Sequence, residues 1–465
     1  MDGDRGGFRD IQMSFHHATS FSLFSKVIPK YINASPSQRF SEDIFPISQL
    51  FVCQRVGTQP AKTRQRYIQN RFNQIKQRKN TMMRQGTIVF GWGLMVCLLM
   101  NLHLWSENGV SDKEIVLGQS CALGGPAQAL GQGMRAGLLA YFKMINEKGG
   151  IKGRQIRLIS LDDGYEPARA ILNTRNLINQ EKVFLLVGEV GTPTSKAVVP
   201  IIEKMKVPFV GPFTGAEFLR NPYKHYVVNV RGSYYQEMER LAQYLVDKKG
   251  LKRIACFYQN DGYGQAGLNG IKLALKRRSM ELIGTGTYER NTLAVRSGLL
   301  AIRRSKPDAV IMVGAYKPCA TFIKLAKRVG MKKTIFCNIS FVGTEALRKE
   351  LGPDGEGCII SQVVVYPWNT SIPLVKEYHE AMKKYEPTES IGFVSLEGFM
   401  VAKFLCQALL KCPTLDRETL LQTINQTAKF DLGGMTLEYG EKDHQGMDQV
   451  FLTVIKNGKV VPLDE

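Results

Sequence analysis

Two short segments carry the residue types that could hold a small anion. Gly191-Thr-Pro-Thr-Ser195 and Phe213-Thr-Gly-Ala216 each set hydroxyls and a glycine where a helix would open. A helix N-terminus leaves backbone N–H groups unpaired, so hydroxyls placed there suit a ligand carboxylate. Thr192 and Thr194 would serve equally well as plain caps, and taken alone that reading is the stronger. Asp261, in Asn260-Asp-Gly-Tyr-Gly264, is a turn former first and a ligand contact second. Asp162-Asp163 is an acid pair in sequence, but neighbours on an extended strand point to opposite faces. A turn ahead of Pro167 explains them better. The chain has no GxxxxGK[ST], HExxH or GxSxG. Gly131-Gln-Gly133-Met-Arg-Ala-Gly137 has the wrong spacing for a dinucleotide fingerprint and reads as close helix packing. Nine cysteines without a CxxC pair, and six histidines, make no metal spacing. The cysteines read as small buried hydrophobes; their odd number gives no disulfide framework, and one bridge in an oxidising compartment stays open. No catalytic constellation, cofactor or metal is expected.

The elements that must position these segments show as alternation. From residue 111 onward, short β-branched runs (115–118, 156–161, 184–188, 208–211, 253–258, 309–314, 334–337, 358–365) alternate with amphipathic stretches. Continuous apolar strands separated by helices predict an α/β fold with parallel sheets covered on both faces. The series divides near Val230, so two doubly wound lobes are expected. In such sheets a ligand sits beyond the carboxyl ends of the strands. The segments there are 120–127, 189–195, 212–217, 260–264, 315–317 and 338–343.

The 465 residues carry a net charge of +21, but 14 Lys+Arg against 5 Asp+Glu fall within residues 1–85. Residues 55–84 hold nine basic residues and no acidic one, directly ahead of an uncharged apolar run, 87–100. That order belongs to export: basic flanks stay inside, and the chain beyond residue 105 is extracytoplasmic. A 14-residue core fits a signal peptide. Extended to Trp105 it could just span a bilayer, so cleaved signal and retained anchor both stand. Met82-Met83-Arg84-Gln85 ahead of the run would make a normal signal peptide by itself. Residues 1–81 therefore read as either an upstream over-extension or a cytoplasmic tail.

Three further stretches make the sequence familiar: Leu123-Gly-Gly-Pro126, Asn146-Glu-Lys-Gly-Gly-Ile-Lys-Gly-Arg154 and Asp162-Asp-Gly-Tyr-Glu-Pro167. With Val207-Pro-Phe-Val-Gly-Pro212, Asn260-Asp-Gly-Tyr-Gly264 and Asp308-Ala-Val-Ile-Met-Val-Gly314, this ordered set resembles type I periplasmic binding proteins. The branch it resembles is the leucine/isoleucine/valine-binding solute receptors of ABC importers. The likeness runs from about residue 114 to 463. It implies two lobes joined by a three-crossing hinge, with residues 114–231 and 367–430 in the first lobe and 232–366 and 431–465 in the second. It also implies a ligand carboxylate held by Thr192 and the Phe213, Thr214, Gly215 segment and a contact from Tyr316; Leu123 and Asp261 are further candidate ligand contacts. The family's acidic partner for a ligand ammonium would fall at Ser340, where this chain departs. An unmatched buried ammonium forfeits about 1.5–3 kcal/mol. Either Glu189, Glu217 or Asp261 replaces the acid, or the ligand is an amide, a urea-like compound or a carboxylate without an amine.

The function expected is thus a non-enzymatic receptor for a small polar solute, a branched-chain or other aliphatic amino acid first. Its partners would be a separate permease and ATPase, with no nucleic acid. A membrane-anchored sensing ectodomain is the second reading. A ligand-regulated repressor is the third, opposed by the absence of a helix-turn-helix pattern.

Overall fold

The computed structural model describes residues 107–463 and, upstream, residues 62, 65, 66, 69–74, 76 and 77, which are helical. The apolar run and most of the basic tail lie outside the described residues. Residues Leu104–Glu465 form one compact unit.

Its first sheet contains β1 (Glu114–Cys121), β2 (Gln155–Asp162), β3 (Leu185–Val187), β4 (Phe209–Val210) and β5 (Val227–Val228), in the order β2-β1-β3-β4-β5. Every pairing is parallel, Ile115 opposite Ile156 and Leu186 opposite Phe209. The second sheet holds β6 (Ile254–Gln259), β7 (Gly284–Tyr288), β8 (Ala309–Val313), β9 (Ile335–Asn338) and β10 (Ile359–Gln362). A separate hairpin, β11 (Lys429–Asp431) with β12 (Thr436–Glu438), precedes β13 (Phe451–Lys456) and β14 (Lys459–Pro462), which extend the second sheet to the order β14-β13-β10-β9-β8-β6-β7. The last two strands run antiparallel, β13 against β10 and β14 against β13. The chain therefore passes between the sheets three times: after β5, after β10 and before β13. This is a two-lobed α/β fold.

The strand chemistry explains the parallel arrangement. Ala309–Val313, all apolar, is buried along its whole length, as a strand covered by helices on both faces must be. The helix Phe393–Lys411 is apolar almost all round and would be long enough to cross a membrane, yet most of it is buried inside the first lobe. It is a core helix. It lies against Gln128–Glu147, and the contact depends on missing side chains. A Cβ on Gly137 would stand 1.9 Å from the Ser395 carbonyl oxygen, and one on Gly398 2.3 Å from that of Met134. The glycine-spaced run is helix packing, as its spacing predicts.

Candidate ligand-binding site

The carboxyl ends of both sets of parallel strands converge on one cleft, and the two lobes meet across it. Arg290 of the second lobe pairs with Glu166 of the first at 2.8 Å. The neighbouring Asn291 amide donates to Glu166 at 2.7 Å and to the Gly164 carbonyl at 3.0 Å. The Gln259 amide reaches the Tyr165 hydroxyl at 3.3 Å. These contacts define a closed arrangement.

At its centre stand rings from both lobes. Phe341 lies 5.3 Å from Phe213, 6.0 Å from Tyr165 and 4.6 Å from Tyr263, centroid to centroid. All four are buried. Aromatic pairs at such distances contribute about 0.5–1.5 kcal/mol beyond their burial, so this cluster helps hold the lobes shut.

The helix Thr192–Met205 opens into the same region. No side chain caps it, because its N-cap is Gly191 at φ 114, a backbone that glycine adopts freely. A Cβ there would also strike the Tyr165 ring at 2.3 Å. Thr194 turns its hydroxyl back to the Val190 and Gly191 carbonyls. Thr192 does not cap; its hydroxyl meets that of Thr214 at 2.7 Å. The Tyr234 hydroxyl lies beside this pair, and the Tyr234 N–H donates to the Gly215 carbonyl at 2.7 Å. Thr192, Phe213, Thr214 and Gly215 are thus brought together at an open helix N-terminus.

Arg231, in the first crossing, is fully buried with its guanidinium 4.7 Å above the Phe213 ring. Glu237 and Glu397 each lie 3.6 Å from it. Burial alone would lower its pKa, but these carboxyls hold it above the ordinary value. Burial pushes the Glu397 carboxyl up to about 7. Nε and Nη1 of Arg231 make no hydrogen bond among the described residues.

Ser340 does not face an open site. Its N–H and hydroxyl donate to Glu237 at 2.8 and 2.9 Å, and it also contacts Arg231. Leu123 is half-buried, with its N–H bonded to Asp162. Asp261 caps the helix Gly262–Lys276 through the Tyr263 N–H and pairs with Arg290 at 3.2 Å. Glu189 is buried in the first lobe, where desolvation and the nearby Asp163 raise its pKa well above the usual range. Glu217 opens a short 3-10 turn between β4 and β5 of the first lobe.

Tyr316 lines a cavity of ≈ 600 Å³ between the lobes, with Gln128 and Gln132 from the first lobe, Lys317 and Glu345 from the second, and Trp368 from the second crossing. Glu345 is the residue that sequence reasoning missed. Its Oε1 is sealed from solvent and has no partner among the described residues, and burial pushes its carboxyl up to about 7 against the nearby Phe393 N–H. Gly392 leaves it room, since a Cβ there would stand 2.5 Å from the carboxyl carbon. The signal was present two residues beyond the 338–343 segment: an acid in the first turn of a helix that opens after a strand end, Thr344–Leu351.

Two α/β lobes, three crossings and a ligand-sized cleft at the strand ends define a solute-binding receptor. The chain belongs to the periplasmic binding protein family, whose model matches residues 114–459. It is similar to a possible leucine/isoleucine/valine-binding protein of Rhodopirellula baltica, with 37% identity and a TM-score of 0.73 over 78% of this chain and 98% of that one. It is 25% identical over 349 residues to Leu/Ile/Val-binding protein homolog 7 of Brucella abortus (strain 2308), covering 72% of this chain and 86% of the relative. A fatty acid ABC transporter substrate-binding protein of Thermomonospora curvata shares the fold, at 24% identity and a TM-score of 0.70 over 77% of this chain and 94% of that one. The family places such chains outside the cytoplasm and makes them carriers of small molecules.

Proposed function

We propose that this chain is the solute receptor of an ABC importer and closes on an aliphatic amino acid, which it hands to a separate permease and ATPase. What supports the ligand class is the presence of opposite chemistries on the two lobes, a helix N-terminus in the first and a buried carboxyl in the second. An uncapped helix N-terminus with Thr192 and Thr214 suits a carboxylate. A buried, unpartnered carboxyl oxygen on Glu345 suits an ammonium. Leaving such an oxygen unmet costs about 1–3 kcal/mol, more where a charge is involved, so a cationic donor is the group it lacks. Glu345 thereby replaces the acid missing at Ser340. The names of the Rhodopirellula and Brucella relatives support the same class. A carboxylate without an amine is the second reading, favoured by Nη1 of Arg231, which has no hydrogen-bond partner among the described residues.

A thermal-shift screen of the ligand-stripped protein separates the two. Ligand at 100 times its dissociation constant adds about 2.7 kcal/mol, or a rise of several degrees at roughly 2–4 °C per kcal/mol. Branched-chain or other aliphatic amino acids should raise the midpoint. A rise only with amides or simple carboxylates moves the ligand class, and no rise with any small solute removes the receptor reading.

A further inference from the structure

Far from the cleft, at the opposite end of the second sheet, the surface is strongly basic. β6, β8 and β9 begin in register, Ile254 opposite Ala309 and Ala309 opposite Ile335. The segments leading into them therefore deliver Lys252, Lys306, Lys332 and Lys333 to one edge, all exposed. The helix Arg296–Arg304 ends there with Arg303 and Arg304, and Tyr316–Arg328 ends there with Arg328. Residues 296–334 contain ten basic residues and one acidic, Asp308, which accepts the Arg253 N–H at 3.0 Å. The other acids at this end are Glu281 ahead of β7, Asp354 and Glu356 ahead of β10, and Asp247 ahead of β6. Arg303, Arg304, Lys306, Arg328, Lys332 and Lys333 make no ion pair among the described residues, while the arginines on the adjoining helix, Arg277 and Arg278, are paired with Glu239 and Asp247. A groove of ≈ 730 Å³ runs through the patch, and the side chains between its cations are apolar: Leu300 and Val329, 53% and 38% exposed.

Cations in a last helical turn are explained by the helix dipole alone. Lys252, Lys306, Lys332 and Lys333 lie in loops, where that explanation fails. Clustered cations interleaved with exposed apolar side chains match an anionic bilayer surface, which takes charge at the headgroups and apolar side chains at the acyl boundary. We propose that this end of the second lobe docks on anionic phospholipid headgroups, holding the receptor against the outer face of the membrane with its cleft turned away from the docked end.

The test uses residues 107–465, the span that corresponds to nearly the whole chain of the Rhodopirellula baltica crystal structure, so that the upstream apolar run cannot insert. Binding is measured to phosphatidylcholine vesicles with and without phosphatidylglycerol, at low and high salt. The protein should bind only the anionic vesicles and should release as salt rises. With each cation contributing a several-fold factor, the combined variant Arg303→Gln, Arg304→Gln, Lys332→Gln, Lys333→Gln should bind on the order of 100-fold more weakly. A control with the same charge change on other exposed surfaces, Lys148→Gln, Lys182→Gln, Lys204→Gln, Lys383→Gln, should lose far less. Failure of the unmodified protein to bind anionic vesicles overturns the proposal, whether or not an acidic protein binds the patch. Equal losses in the two variants overturn it as well.

Discussion

The sharpest consequence of the cleft chemistry concerns Glu345. Its carboxyl is pushed up to about 7 by burial, so near pH 6 about ten molecules in eleven carry it protonated. A ligand ammonium needs the ionised form, so binding expels the proton. Observed affinity for an amino acid should therefore rise about tenfold between pH 6 and pH 8 and then level off. Glu345→Gln preserves the shape but cannot ionise. The loss of a charge-assisted hydrogen bond, about 1.5–3 kcal/mol, corresponds to roughly 10- to 150-fold in affinity, and the pH slope should vanish with it. Calorimetric titration in two buffers of different ionisation enthalpy reads both quantities, the affinity and the protons released. An affinity independent of pH and indifferent to Glu345→Gln would refute the assignment of the ammonium to this residue.

Other consequences are simpler to check. Arg231→Ala strands Glu237 and Glu397 in the interior, a change that typically costs about 3–5 kcal/mol, and the melting midpoint should fall by about 10 °C; a drop of only a degree or two would mean the carboxyls are relieved some other way. Thr214→Val removes one hydroxyl from the Thr192 pair and should weaken ligand binding by roughly 2- to 12-fold with little change in melting. Phe341→Ala empties the centre of the ring cluster and should destabilise the ligand-free protein by about 3–5 kcal/mol, read by denaturant unfolding. The stability of the ligand-free protein should also depend on pH. Burial raises Asp163 to about 6 and Glu397 to about 7. Each contributes stability that is complete below its unfolded pKa, near 4, and is lost as pH rises through 6 to 7. Melting at pH 5 should therefore exceed melting at pH 7.5, and the reverse order would show that these groups are ionised in the folded protein.

Most of the parallel framework was legible because it is written in apolar runs. Residues 309–313 and 115–117 are continuous β-branched or aliphatic stretches, 156–161 is one broken only by Arg157 and Ser160, and each lies on a strand of one of the two sheets. The strands that escaped notice lack that signature. Gly284-Thr-Gly-Thr-Tyr288 is an edge strand of small and polar residues, and Gly286 admits the close approach of Gly298 rather than filling a core. β13 and β14 are antiparallel and partly exposed, short apolar pairs broken by Thr453 and bounded by lysines. The helix N-terminus at Thr192 was readable from local residue types, since hydroxyls and a glycine at a strand-to-helix junction have a local meaning. Arg231 was not, because its role depends on Glu397, distant in the sequence and joined to it only by the fold, as well as on the nearby Glu237. Ser340 illustrates the limit of positional matching. Its place in the chain suggested the ligand, but Glu237 from the other side of the lobe claims both its N–H and its hydroxyl.

The central claim is that the cleft recognises both charged ends of an amino acid. It is tested most directly by titrating the ligand-stripped protein calorimetrically with leucine and with 4-methylpentanoate, which has the same carbon skeleton and carboxylate but no ammonium. The cleft chemistry predicts saturable binding of leucine, or of another aliphatic amino acid over its own deaminated counterpart, by at least about tenfold. Equal affinity for the two, or binding of the carboxylate alone, would contradict it.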